Sequence, residues 1–208
     1  AGSKTLIGPW SHSKRRKYGN IDFGKEADVD SVNLEIRWFD YWLKGKPTGI
    51  DKMPSYQIFV MGENKWRDED SWPLTRALER SLYIESDGSA NTPTGSGRLA
   101  SGKSAVAGED HFKFDPHDPV PSLHGAPLYV IPTDQRPLAD RSDILVYQSK
   151  PLPERIEVTG NPRVELFASS SAPDTDFFVR LIDVSPDGMA RDVSLGMVRA
   201  RYRNGLTV

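Results

Sequence analysis

Between residues 28 and 44 the apolar positions gather on one side of a helix. Val32, Ile36, Phe39 and Leu43 recur at spacings of four, three and four, and Trp42 widens the stripe. Asp28 or Asp30 is placed to cap its start, and Gly45 followed by Pro47 to end it. Ahead of the helix stands a short apolar run, Lys4-Thr5-Leu6-Ile7. From Pro54 the period changes to two: Tyr56, Ile58 and Val60 alternate with Gln57, Phe59 and Met61, a strand apolar enough on both faces to be buried. Further strand patterns occupy residues 81–85, 144–147, 156–159, 164–169, 177–184 and 193–202. Ser185-Pro186-Asp187-Gly188 separates the last two and predicts a hairpin, since Pro presets one backbone angle and Gly accepts the left-handed one. Residues 86–140 read as a long Gly/Ser/Pro-rich excursion, and no fixed-period repeat occurs.

This order predicts two unequal parts. One strand and one amphipathic helix cannot cover each other's apolar faces, so residues 1–53 imply a further layer that these residues do not supply. They read as the end of an α/β domain: a strand, a histidine loop and a helix. Residues 54–208, with many short strands between turn formers, predict a mainly β domain of the β-sandwich or jelly-roll type.

Composition narrows the chemistry. A formal net charge of −2, with Lys and Arg scattered among the acids, leaves no electrostatic footprint for nucleic acid. Lys14-Arg15-Arg16-Lys17 has no interleaved aromatic residues and reads as a solvated loop. No apolar run approaches the roughly 20 residues that span a bilayer, and no charged-then-apolar leader pattern opens the chain. The expectation is a soluble protein whose compartment stays open, the cytoplasm favoured slightly over secretion. The absence of cysteine removes disulfide and thiolate chemistry.

The candidate catalytic residue is His12. The apolar run leads through Gly8-Pro9-Trp10-Ser11 into it, and the end of a strand is where an α/β-hydrolase presents the general base of a Ser-His-Asp triad. In that fold serine and carboxylate precede the histidine along the chain, and no Gly-x-Ser-x-Gly elbow occurs in the sequence. Trp10 and Pro9 are expected to shape the loop; Arg37, Trp38 and Asp40 are expected to pack and pair on the helix.

Three other patterns invite a function. Gly97-Arg98-Leu99-Ala100-Ser101-Gly102-Lys103-Ser104 matches the phosphate-binding loop literally, but no buried strand feeds it and no helix pattern leaves it, so it reads as a flexible loop. His111, Asp115, His117, Asp118 and His124 carry ligand atoms that suit zinc, yet no two of the histidines stand four apart and Pro116, Pro119 and Pro121 keep the segment extended. Asp174 and Asp176 read as turn caps rather than calcium ligands. No metal and no cofactor is therefore expected.

Several motifs run in register along the whole chain. They are Gly8-Pro9-Trp10-Ser11-His12, the helix run from Arg37 to Gly45, Phe59-Val60-Met61-Gly62 with Trp66 and Trp72-Pro73, Asp115-Pro116 with Asp118-Pro119-Val120-Pro121, the run from Ser169 to Phe177, and Asp183-Val184-Ser185-Pro186-Asp187-Gly188. Together they resemble the X-Pro dipeptidyl-peptidase and cocaine-esterase-like acyl hydrolases. That resemblance implies the last strand and helix of an α/β-hydrolase domain whose earlier part lies upstream, followed by a galactose-binding-like jelly roll that would continue with more strands beyond residue 208. It implies a serine hydrolase acting on an ester or amide through an acyl-enzyme, to which this chain contributes His12 and, lacking the serine and aspartate, is inactive alone. The partners implied are a small ester, amide or peptide substrate, the remainder of the hydrolase domain and a second copy of the chain; nucleic acid and membrane are excluded. The alternative is a noncatalytic β-sandwich module for carbohydrate binding or assembly, in which residues 1–53 form a docking arm.

Overall fold

A computed structural model describes residues 2–92, 95–103, 108–124 and 132–205. Strand outweighs helix over the described residues as a whole, which fall into two compact units, the first through Leu78 and the second from Glu79 onward.

In the first unit β1 (Thr5–Ile7) lies parallel to β4 (Tyr56–Val60), with Thr5 opposite Tyr56 and Ile7 opposite Ile58. The far edge of β4 pairs antiparallel with β5 (Lys65–Glu69), giving the order β1-β4-β5. A tight turn joins β4 and β5, with Gly62 at φ 87° and Asn64 at φ 55°, positions that favour residues without a branched Cβ. Between β1 and β4 come the two-residue strands β2 (Lys17–Tyr18) and β3 (Ile21–Asp22), a 3-10 turn at Lys25–Ala27, and helix α1 (Ser31–Lys44).

Helix α1 begins where Asp30, rather than Asp28, accepts the Asn33 amide at 2.9 Å. It ends at Gly45, left-handed at φ 65°, whose amide reaches back to the Tyr41 carbonyl at 3.1 Å. Asp40 pairs with Lys44 at 2.5 Å and Lys46 at 2.9 Å, while Arg37 donates to the Thr48 carbonyl at 3.1 Å. None of the helix residues is fully buried, and the stripe of Val32, Ile36, Phe39, Trp42 and Leu43 is between 51 % and 76 % exposed.

The core of this unit is aromatic. Phe23, Ala27 and Phe59 are buried together, with Tyr18, Ile21 and Trp66 packed against them. At the end of β5, Glu69 is buried and held by Arg67 at 2.6 Å and by Arg76 at 2.5 Å. The Arg76 hydrogen bonds first, and those of Arg67 after the opposing effect of burial, hold its carboxyl down at about 2. Because that value lies below the ordinary 4.5, the pair's stabilisation is complete above pH 4.5 and drains away as the pH falls toward 2. Glu69→Gln is expected to lower stability at pH 7 by about 2 kcal/mol and to flatten the acid limb of the stability profile, measured by urea unfolding from pH 7 to pH 3. A parent and variant with the same acid limb would remove Glu69 from that role.

In the second unit β6 (Tyr83–Glu85) pairs antiparallel with β7 (Arg98–Ala100), and β8 (Asp176–Val184) with β9 (Ala190–Arg199). The expected hairpin turn is present: Gly188, at φ 81°, donates its amide to the Ser185 carbonyl at 2.8 Å. At the other end of the hairpin Arg199 grips Asp176 through two hydrogen bonds of 2.8 and 2.9 Å. Residues 133–135 run beside β9, with the Gln135 amide donating to the Ala190 carbonyl at 2.8 Å.

Four expectations are corrected here. Residues 156–159 and 164–169 form no ladder among the described residues, because apolar alternation makes a strand only where a neighbour accepts its amides. Residues 144–147 bridge instead: the Val146 amide donates to the Ala90 carbonyl at 2.8 Å, and Gln148 flanks β7. The excursion 86–140 contains β7. Residues 200–202 turn into a 3-10 helix rather than extending β9.

Candidate functional site

His12 occupies a turn just beyond the C-terminal end of β1, closed by the Lys14 amide donating to the Ser11 carbonyl at 3.1 Å. Its imidazole is exposed and makes no hydrogen bond or ion pair with a described residue. The residues beside it are held firmly. Trp10 donates its indole N–H to the Ala27 carbonyl at 2.7 Å, and the Ser11 amide donates to the Tyr18 hydroxyl at 2.8 Å. A Cβ at Gly8 would overlap the Trp10 ring, so the backbone there passes the indole at a distance only glycine allows. Burial pushes the Tyr18 phenol up, but the hydrogen bonds from Ser11 and Ser13 together outweigh it and leave the group below its ordinary value. The loop-shaping role expected of Trp10 is thus visible in its contacts; sequence reasoning passed over Tyr18, whose partner lies seven residues away in a non-repeating segment.

Lys14 reaches the Ser31 hydroxyl at 3.2 Å and Arg16 pairs with Asp28 at 3.0 Å, so the basic run partly tethers the loop to the start of α1. A groove of about 390 Å³ in the same unit is lined by apolar residues such as Leu6, Leu34, Met53 and Trp66 together with polar ones such as Asp28 and Arg37, and it does not include His12.

The other sequence patterns disperse. Arg98 to Ala100 of the phosphate-loop match is strand β7, a correction to its reading as a loop, and Gly97 lies so close to the Val146 carbonyl that a Cβ would overlap it. Ser104 lies outside the described residues, and Lys103 sits 5.7 Å from the Tyr83 ring centroid. Mg-ATP titrated calorimetrically into the protein is expected to give no heat of binding, and Lys103→Ala to change stability by less than about 0.5 kcal/mol. Micromolar affinity lost in that variant would reverse the assignment.

His111 approaches Glu109 at 3.8 Å, Asp115 caps the His117 amide at 2.9 Å, and Asp118 pairs with Arg141 at 3.2 Å. His124 instead meets Asp192 at 3.0 Å, almost buried, with its other ring nitrogen 3.2 Å from the Thr133 hydroxyl. Among the described residues no three of these ligand types converge. Asp174 accepts the Arg201 amide at 3.1 Å in the 3-10 turn Ala200–Tyr202, as a capping aspartate does, and also pairs with the Arg201 guanidinium. Asp176 binds Arg199 across the hairpin instead, which corrects its reading as a turn cap: a guanidinium offers two donors in the plane of a carboxylate. No helix among the described residues is long and apolar enough to cross a membrane.

Residues 48–207 match the X-Pro dipeptidyl-peptidase C-terminal non-catalytic domain. The chain belongs to the X-Pro dipeptidyl-peptidase and cocaine-esterase-like family, as part of its C-terminal portion. Within that family it is 40 % identical to the cocaine esterase of a Rhodococcus species over 99 % of its own length and 37 % of the esterase. It is 30 % identical to a Mycobacterium bovis protein named as a serine esterase, over 97 % of this chain and 31 % of that one. An aminopeptidase crystal structure from a marine-sediment Thaumarchaeota archaeon superposes with a TM-score of 0.76 at 28 % identity, covering 98 % of this chain and 35 % of that one. The chain therefore spans about a third of the length of the relatives it matches.

Proposed function

We propose that this chain is part of a serine hydrolase and that His12 is the general base of its triad. In that reading the imidazole takes the serine hydroxyl proton as the oxygen attacks an ester or amide carbonyl, then returns it to the leaving alcohol or amine as the acyl-enzyme forms. Water repeats the cycle. A carboxylate on the second ring nitrogen orients the base, and both it and the serine belong to sequence outside these residues, in keeping with the third of the relatives' length spanned here. Residues 1–53 are then the end of the α/β-hydrolase domain and residues 54–208 its jelly-roll companion. The partners are a small ester, amide or peptide and the rest of the hydrolase domain.

The observation that carries this reading is the exposed His12 ring, beyond the end of a parallel strand, in a chain 40 % identical to an esterase. A serine-directed fluorophosphonate tests it. The complete polypeptide is expected to be labelled and the 208-residue chain to remain unlabelled; an unlabelled, ester-inactive complete polypeptide would overturn it. For residues 48–207 the match to a domain described as non-catalytic supports the second reading, a β-sandwich module for carbohydrate binding or assembly.

A further inference from the structure

Five aromatic rings in the first unit form a continuous chain that starts and finishes at the His12 turn. Trp10 stands 5.6 Å from Trp66, Trp66 5.4 Å from Phe59, Phe59 6.2 Å from Phe23, and Phe23 6.5 Å from Tyr18, centroid to centroid. The last three contacts are edge-to-face, the geometry in which the positive rim of one ring meets the negative face of the next. Each end then grips the backbone or side chain next to the histidine. Trp10 precedes it by two residues and is fastened to the Ala27 carbonyl; Tyr18 accepts the amide of Ser11, the residue immediately before it. Trp66 closes the arrangement by donating its own indole N–H to the Glu26 carbonyl at 2.6 Å, one residue from the carbonyl that holds Trp10. Two indoles thus dock side by side on the 3-10 turn at Lys25–Ala27, whose Ala27 is fully buried.

Phe59 and Trp66 are directly opposite one another on β4 and β5, inside the stretch that matches the non-catalytic domain. We infer that this β4–β5 hairpin positions the catalytic base: Trp66 and Phe59, through Trp10 and Tyr18, fix the backbone of residues 10–11 and so the place from which the His12 ring reaches the serine. This rests on the reading of His12 as the base. A general base must stand within hydrogen-bond reach of the proton it removes, and a displacement of about 1 Å can cost on the order of a hundredfold. Rings that interlock into a core resist such displacement better than a loop held by solvent-exposed hydrogen bonds.

The test uses the complete enzyme and a p-nitrophenyl ester, with Tyr18→Phe, Trp66→Phe and His12→Ala. Tyr18→Phe removes only the oxygen that receives the Ser11 amide; Trp66→Phe removes the indole N–H while keeping an aromatic ring. Each is expected to lower kcat at least tenfold with KM within twofold, and to slow fluorophosphonate labelling in parallel, while the thermal midpoint moves by only a few degrees. The double variant is expected to fall less than the product of the singles, since both release the same turn. Values of kcat within twofold of the parent in both variants would overturn the inference. Should Trp66→Phe fail to fold, Tyr18→Phe decides alone by the same criterion. An active His12→Ala would sink the assignment of the base itself, so failure of that reading and failure of this one are told apart.

Discussion

The complete enzyme carrying His12→Ala is expected to lose on the order of four decades in kcat while its KM and its unfolding midpoint stay close to the parent's. The size follows from what the imidazole does. A serine hydroxyl is a poor nucleophile until a base takes its proton, and removal of the base leaves only binding and oxyanion stabilisation to accelerate the reaction. The sparing of stability follows from the structure: the ring is exposed and makes no hydrogen bond with a described residue, so its removal leaves no buried partner unsatisfied. Steady-state hydrolysis of an activated ester, with thermal denaturation alongside, measures both. Turnover within tenfold of the parent would take His12 out of the mechanism, and a large loss of stability would mean that the ring has a structural duty.

The second large effect concerns helix α1. The stripe of Val32, Ile36, Phe39, Trp42 and Leu43 lies more than half exposed. Full burial of such side chains is worth roughly 1.5–3 kcal/mol each, enough that even partial cover by another surface outweighs much of the cost of association. The isolated 208-residue chain is therefore expected to self-associate at micromolar concentrations, and Phe39→Lys with Leu43→Lys to return it to a monomer. Sedimentation velocity over a hundredfold range of concentration reads this directly. A parent that sediments as a monomer throughout would show that the exposed stripe drives nothing.

Helix α1 was legible in the sequence because all its determinants are local: the apolar spacing, a capping Asp30 and a terminating Gly45. The hairpin at 185–188 was legible for the same reason. His12 was singled out because an apolar run leads into it. What held its turn was not legible, since Trp66 lies far along the chain from Trp10 and nothing in local periodicity brings them together. The residues at 156–169 failed in the opposite sense. Their alternation is real, but a strand is a relation between two segments, and the pattern of one segment does not say whether its neighbour is there. The reading of residues 97–104 as a flexible loop failed similarly, because the local sequence is silent about β6, which pairs with Arg98 to Ala100, and about the Val146 carbonyl set close against Gly97.

The parallel pairing of β1 with β4 bears on how such enzymes exchange parts. A crossover near residue 48, where the matched domain begins, would bring β1 and the Trp10 indole from one parent against β4 and Trp66 from another. Side chains that have adjusted to each other across that seam would be separated at a stroke. A crossover after Leu78 keeps strand, histidine turn and aromatic rings together as one inherited piece. Shuffled libraries of these hydrolases should accordingly be enriched in survivors joined at the later point.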